Sequence, residues 1–265
     1  MSFFDALEIR TSERRLHEIL MALRAQIAHA MTLDWYKESF SSVDPKTILT
    51  MDDLAKLPVL RKTDLTGTQR PGQTLGGYNA RGLSDFAHIF QSPGPIYEPG
   101  GLEHDWWRMG RFAHAAGVGK GDIVHNCFGY HLTPAGMIFE SGARAVGAAV
   151  LPAGVGQTDL QVRAAVDIGT TAYAGTPDYL KVILDKAAEM GETLSITKAL
   201  VGGGALFPSL RQEYVEHGIA CLQCYATADL GSIAYESPAK EGMIIDEGVI
   251  VEIVTPGTVS YTHLR

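Results

Sequence analysis

Two short segments carry the residue types best suited to chemistry: Val201, Gly202, Gly203, Gly204 and Ala205, then Tyr225, Ala226, Thr227, Ala228 and Asp229. Each directly follows an apolar run that reads as a buried strand. That puts each in a loop at the carboxyl edge of a sheet, where open α/β sheets bind ligands. Glycines let a flat ring come close to the backbone. Tyr225 offers an aromatic face, Thr227 a hydroxyl, and Asp229 a carboxylate able to hold Mg²⁺ through oxygen. This inventory suits a nucleotide. Either segment alone also reads as a tight turn, with Asp229 capping the next element; their succession is what favours a ligand site.

Other motifs promise less. Gly117, Val118, Gly119, Lys120, Gly121 and Asp122 look like a phosphate loop, but they follow a helix, precede a strand and lack the hydroxyl residue after lysine. The third glycine of a dinucleotide fingerprint starting at Gly202 would fall on Phe207. Cys221 and Cys224 form a C-x-x-C on a predicted strand, where residues three apart face opposite ways, so structural burial is favoured over metal or redox work. His125, His131 and His217 are too scattered for a metal site. Ser141 lacks the first glycine of a nucleophile elbow.

The elements that must position these residues alternate beyond residue 86. Strand candidates cover residues 87–90, 123–128, 148–152, 171–174, 199–202 and 219–225, with helical stretches between them, the pattern of a mostly parallel sheet with helices on both faces. The clearest helix opens at Thr176, Pro177 and Asp178 with an N-cap hydroxyl and proline at its first position. Its apolar stripe is Tyr179, Leu180, Ile183, Leu184 and Ala187, and it stops at Gly191. A second helix over residues 208–217 turns Leu210, Tyr214 and Val215 inward and links the two candidate segments. Upstream, Leu16, Ile19, Leu20, Leu23 and Ile27 make the stripe of an N-terminal amphipathic helix. We therefore expect an α/β protein with an N-terminal helical and irregular segment, residues 1–83, packed on an α/β core, residues 84–265.

The chain has 265 residues, 46% of them hydrophobic, enough for a substantial core. A net charge of -8 without a Lys/Arg stripe argues against a nucleic-acid partner. No stretch has the length and apolarity of a membrane span, the start lacks a secretory pattern, and there are only three cysteines, so a cytoplasmic protein is expected.

Taken in order, several segments resemble the phenylacetate-CoA ligase family of AMP-forming, adenylate-forming enzymes. They are residues 57–65 (Leu-Pro-Val-Leu-Arg-Lys-Thr-Asp-Leu), residues 121–130 from Gly121 to Tyr130, and Gly175, Thr176 and Pro177 with their helix. The glycine loop before Arg211, Tyr225 to Asp229, and residues 251–256 complete the series. The resemblance implies the large domain of such an enzyme and a two-step reaction. A carboxylic acid, by this resemblance an aryl acid, is activated by ATP to an acyl adenylate, and coenzyme A then displaces AMP. It also implies roles: Gly203, Gly204, Ala205 and Ala226 line the adenine pocket, Tyr225 stacks on the base, Thr227 reaches the α-phosphate and Asp229 ligates Mg²⁺. Phe128, Tyr130 and His131 border the acid pocket. The implied partners are a small carboxylic acid and CoA, and assembly as a homodimer is left open.

The family's phosphate loop, rich in hydroxyls and glycine and ending in Lys-Pro, corresponds here to residues 92–99. Ser92 and Gly94 remain, but Tyr97 replaces a glycine and Glu98 the lysine. Glu98 is expected to repel phosphate, and prolines remove amide donors. This favours an alternative reading, a non-catalytic relative that binds an adenylate or acyl-CoA. Ala226, Ala228 and Asp229 depart more mildly from the family's signature, and Gly204 stands where close relatives carry glutamate. The family's ribose-binding aspartate, hinge and carboxyl-terminal domain are expected after Pro256, and residues 259–265 do not continue its pattern. The chain therefore reads as truncated and alone unable to complete both steps.

Overall fold

A short apolar strand can pair in parallel with the next only if a long connection returns the chain, whereas a few turn residues force it straight back. Both outcomes occur here. The computed structural model describes residues 3–253; residues 254–256 of the resemblance and the chain's end lie outside them. The described chain divides into two compact units, one holding the residues up to Gly101 and those from Glu247, the other Leu102–Asp246.

In the first unit, α1 (Ser12–Ala30) is capped by Thr11, whose hydroxyl accepts from the Arg14 amide at 3.3 Å. It is followed by α2 (Asp34–Ser39) and α3 (Lys62–Thr68). The expected stripe of α1 contributes Ile27, backed by Ile19 and Leu23, to a cluster with Val43, Ile48, Leu54, Leu57 and Ile250. Ion pairs from Arg10, at 2.5 Å, and from Arg15 to the buried Glu247 carboxylate tie the segments distant in sequence. The strand expected at residues 87–90 is β1 (His88–Ser92), and it does not enter the large sheet. It pairs antiparallel with β2 (Ile96–Gly100), because only Pro93, Gly94 and Pro95 separate the two.

The second unit runs α4 (Gly110–Ala115), β3 (Ile123–Asn126), α5 (Ala135–Ala145), β4 (Ala149–Pro152), α6 (Thr158–Ile168), β5 (Ala172–Gly175) and α7 (Pro177–Glu189). It continues with β6 (Lys198–Val201), α8 (Pro208–Glu216), β7 (Ala220–Thr227), β8 (Gly231–Glu236) and β9 (Met243–Ile245). The sheet order is β4-β3-β5-β6-β7-β8-β9, parallel through β7 and antiparallel beyond it. Alternation along each strand feeds two layers. Tyr173, Ala199, Val201 and Cys221 join Val162 of α6, Leu180, Ile183 and Ala187 of α7, and Tyr214 of α8 in one cluster. On the other face Phe112 of α4 and Phe139 of α5 meet edge to face, and Phe112 also meets Tyr235.

Several expectations fare differently in detail. Pro177 opens α7 and Gly191, at φ 73°, ends it, but the Thr176 hydroxyl makes no capping bond. Tyr214 is buried as expected, while Val215 is exposed. Cys221 lies in the α6–α8 layer, and Cys224 approaches Gly202 and Phe139 on the opposite layer, so the two thiols do diverge. Burial pushes the Cys221 thiol up to about 12 and the other two thiols upward as well. All three remain protonated at neutral pH, unlike a reactive or metal-binding thiolate.

Candidate nucleotide site

Chain order makes one edge of the sheet special. From β3 the chain moves outward to β4 and then crosses to β5 on the opposite side of β3. The connections after β3 and β5 therefore diverge and open a crevice at the strands' carboxyl ends. Gly203 borders that crevice: a Cβ built there would lie 3.7 Å from Phe128 and 3.8 Å from the Thr176 methyl. Its φ of 69° is the left-handed conformation glycine adopts without strain. Gly203, Gly204 and Ala205 are exposed, and the Gly202 amide donates to the Gly175 carbonyl at 3.2 Å.

The second segment is only in part a loop. Tyr225, Ala226 and Thr227 end β7, and Ala228, Asp229 and Leu230 form the turn into β8, with a register shift between Tyr225 and Ala226. The six fully buried residues of β8 supply the ladder that the sequence reading lacked. Pairing of Val201 with Gln223 sets the two segments side by side, and a Cβ built on Gly202 would lie 3.1 Å from both Cys224 Sγ and the Phe139 ring. Tyr225 is 51% exposed, leaving its ring open. The Thr227 hydroxyl accepts from the Leu230 amide at 3.2 Å, which leaves its own proton to donate elsewhere. Arg211 of α8 grips Glu236 through two bonds at 2.7 and 2.9 Å and the Cys221 carbonyl at 2.9 Å. The helix that follows the glycine loop is thus fastened to the hairpin that carries Tyr225.

After β3, Phe128 stacks on Phe139 at 4.2 Å, so most of its ring serves the core. Asn126, unremarked in the sequence, organises this stretch. Its amide donates to the Tyr130 hydroxyl at 2.7 Å and to the Gly136 carbonyl at 2.9 Å, and its oxygen accepts from the Phe128 amide at 3.2 Å. Tyr130 is half-buried, and burial with the nearby Glu140 carboxylate raises its pKa. It is a neutral wall at working pH. His131 is exposed.

His125, set aside as a metal ligand from the sequence, and Gln161, unremarked there, form a second buried group. The Gln161 amide donates to the Gly154 carbonyl at 3.1 Å and the Gly156 carbonyl at 2.6 Å, so its oxygen must face His125, and the imidazole Nε2 donates to it at 3.1 Å. Nδ1 has no partner. Burial lowers the His125 pKa below its ordinary 6.5, outweighing the bond to Gln161. The unfolded chain then takes up a proton that the folded one resists. Stability is full above the ordinary value and falls as pH drops from there towards the depressed one. Urea midpoints should fall between about pH 7 and pH 5.5, and His125→Gln should flatten that slope; equal slopes in both proteins would assign the dependence elsewhere.

A hollow of about 230 Å³ opens at the end of β4, lined by Leu151, Val155, Leu160 and Gln161 among others. It is below the roughly 300 Å³ of ordinary ligand pockets. Among the described residues no three His, Cys, Asp or Glu side chains gather around a metal position, and no helix is long and apolar enough to cross a membrane.

No protein-family model matches the chain. The phenylacetate-coenzyme A ligase of Thermus thermophilus is 26% identical over 233 residues, which cover 82% of this chain and 51% of that protein. The Aromatoleum evansii ligase of the same name is 28% identical over 257 residues, covering 90% and 57%. The architecture agrees: a crystal structure of 2-hydroxyisobutyryl-CoA ligase in an open conformation with 2-HIB-AMP and CoA superposes with a TM-score of 0.81 at 20% identity. That match covers 88% of this chain and 55% of that one. This chain is similar to the phenylacetate-CoA ligases. It spans about half the length of the curated relatives it matches. Its α/β fold, with a mostly parallel sheet, is like that of 2-hydroxyisobutyryl-CoA ligase over the matched part.

Against that similarity, the segment expected to be the phosphate loop takes an informative form. Ser92 ends β1, Gly94 sits exposed in the turn, and Glu98 lies inside β2, only 3% exposed. Its carboxylate is ion-paired with Lys62 of α3 and accepts from the Ser92 hydroxyl. Glu98, expected to repel phosphate, is thus held within its own strand pair. A buried, paired carboxylate projects little field, and this segment is a strand pair rather than an open loop.

Proposed function

We propose that the protein activates a carboxylic acid, an aryl acid by its relatives' names, in two steps. The acid's carboxylate oxygen attacks the α-phosphorus of ATP, the bond to pyrophosphate breaks, and an acyl adenylate forms. The CoA sulfur then attacks the acyl carbon and AMP leaves. What supports this reading most is the pairing of the glycine loop with the Tyr225 hairpin beside the crevice. In it, the adenine ring lies on Tyr225 beside the backbone of Gly203, Gly204, Ala205 and Ala226. The Thr227 hydroxyl donates to the α-phosphate, and Phe128, Tyr130 and His131 border the acid. The chain's own contribution is orientation and donors placed where charge develops. Asp229, the metal ligand in this reading, offers a single carboxylate. That fits Mg²⁺, which is commonly held by one or two carboxylates and the substrate's phosphates, and which would neutralise phosphate charge.

Calorimetric titration of AMP tests the nucleotide assignment. Tyr225→Ala should lose about 1–3 kcal/mol of binding through lost stacking, and unchanged AMP affinity would remove the pocket from this edge. The strand pair formed where a phosphate loop was expected favours a second reading, a non-catalytic relative that binds an adenylate or an acyl-CoA. Pyrophosphate exchange into ATP with arylacetic acids separates the two. Exchange supports the ligase; tight binding of an acyl-sulfamoyl adenylate analogue without exchange supports the binder.

A further inference from the structure

The turn that carries Asp229 is held by a residue remote in sequence. The stretch before α4 contains two non-glycine residues in the left-handed region, Asp105 at φ 50° and Arg108 at φ 57°. Such backbone persists only where its surroundings fix it. Here the Asp105 carboxylate accepts from the Met109 and Gly110 amides, both at 2.9 Å. The bend delivers Arg108 to the hairpin. Its Nη2 donates to the Leu230 carbonyl and, at 3.1 Å, to the Ser232 carbonyl, while Nε donates to the buried Asp246 carboxylate at 2.9 Å. Beside it, the Ser232 amide donates to the Trp107 carbonyl at 2.8 Å. Residue 230 is thus gripped on both sides: its carbonyl by Arg108, its amide by the Thr227 hydroxyl.

We propose that Arg108 is a positioning residue for the phosphate end of the nucleotide site: by clamping Leu230 and Ser232 it fixes the direction of the Thr227 hydroxyl and the placement of Asp229. The inference rests on the nucleotide reading above and adds to it a division of labour. Tyr225 lies on the far side of the register shift, paired with Ala234, and makes no bond to Arg108. Loss of the clamp should therefore spare recognition of the base and weaken recognition of phosphate. Lysine cannot replace the arginine, because one ammonium lacks the planar fork that reaches two carbonyls and a carboxylate together.

The test compares wild type with Arg108→Lys, and with Asp246→Asn, which weakens one arm of the same clamp and also the pair with the buried Arg111. Amide hydrogen exchange over residues 228–232 is read against exchange in β5 as the folding control. AMP and adenosine are titrated separately. The expected result is turn exchange faster by about tenfold or more with β5 unchanged. AMP affinity should fall by about tenfold and adenosine affinity by less than about twofold in Arg108→Lys, with smaller changes of the same pattern in Asp246→Asn. Equal loss of AMP and adenosine, or unchanged exchange at the turn, would overturn the proposal. If wild-type protein binds neither ligand, the nucleotide reading fails by itself; faster turn exchange would then still support the clamp, and unchanged exchange would dismiss it.

Discussion

Gly231→Ala should be among the most damaging single substitutions in the described chain, at about 3–5 kcal/mol, or on the order of 10 °C in melting temperature. Two costs combine. The backbone at Gly231 has φ 71°, where a side chain is strained, and a Cβ there would lie 2.3 Å from the Trp107 carbonyl oxygen and 2.7 Å from its Cα. Neither atom can rotate away, since both belong to a backbone bonded to Ser232. Gly191 provides the control: its φ is 73° and nothing stands within 4 Å of its missing Cβ. Gly191→Ala should cost only the conformational part, about 1–2 kcal/mol. The difference between the two melting temperatures measures the contact with Trp107. If they match, the hairpin is not packed on that segment.

The contrast between Gly231 and Gly191 also shows what a sequence reveals. Gly191 was legible because a helix end is a local event: an apolar stripe, proline at its start and glycine just past its end. The parallel strands were legible for a similar reason, as apolar runs between helices, and the opposite facing of Cys221 and Cys224 followed from strand period alone. Gly231 carried no such mark. Its need for glycine comes from Trp107, over a hundred residues earlier. Likewise Ala226 and Thr227, expected beyond the strand, extend it because β8 pairs with them, and the apolar run of β8 gives no hint of its partner. Arg108 binds carbonyl oxygens, which every residue possesses, so no spacing of side chains could announce its role. Site chemistry was readable where it lay in contiguous residues; site support was not.

The same distinction decides what Glu98→Lys should do. From sequence alone, restoring a lysine in a phosphate-loop segment ought to tighten ATP more than AMP, because only ATP extends to the β- and γ-phosphates. The structure changes that expectation. Residue 98 lies inside β2, its carboxylate is paired with Lys62 and it accepts from Ser92. A lysine there would bury an ammonium beside another and remove the acceptor of both donors. The loss of a buried pair's partner costs about 3–5 kcal/mol, and the lower end applies because the Lys62 side chain is 42% exposed and can rehydrate. We expect Glu98→Lys to melt several degrees lower, with ATP and AMP affinities moving together. Adding Lys62→Glu should restore about half of the loss by re-forming the pair with its charges exchanged. Undiminished stability of Glu98→Lys, together with a gain for ATP alone, would place the side chain in solvent facing the triphosphate. The buried pair would then be lost.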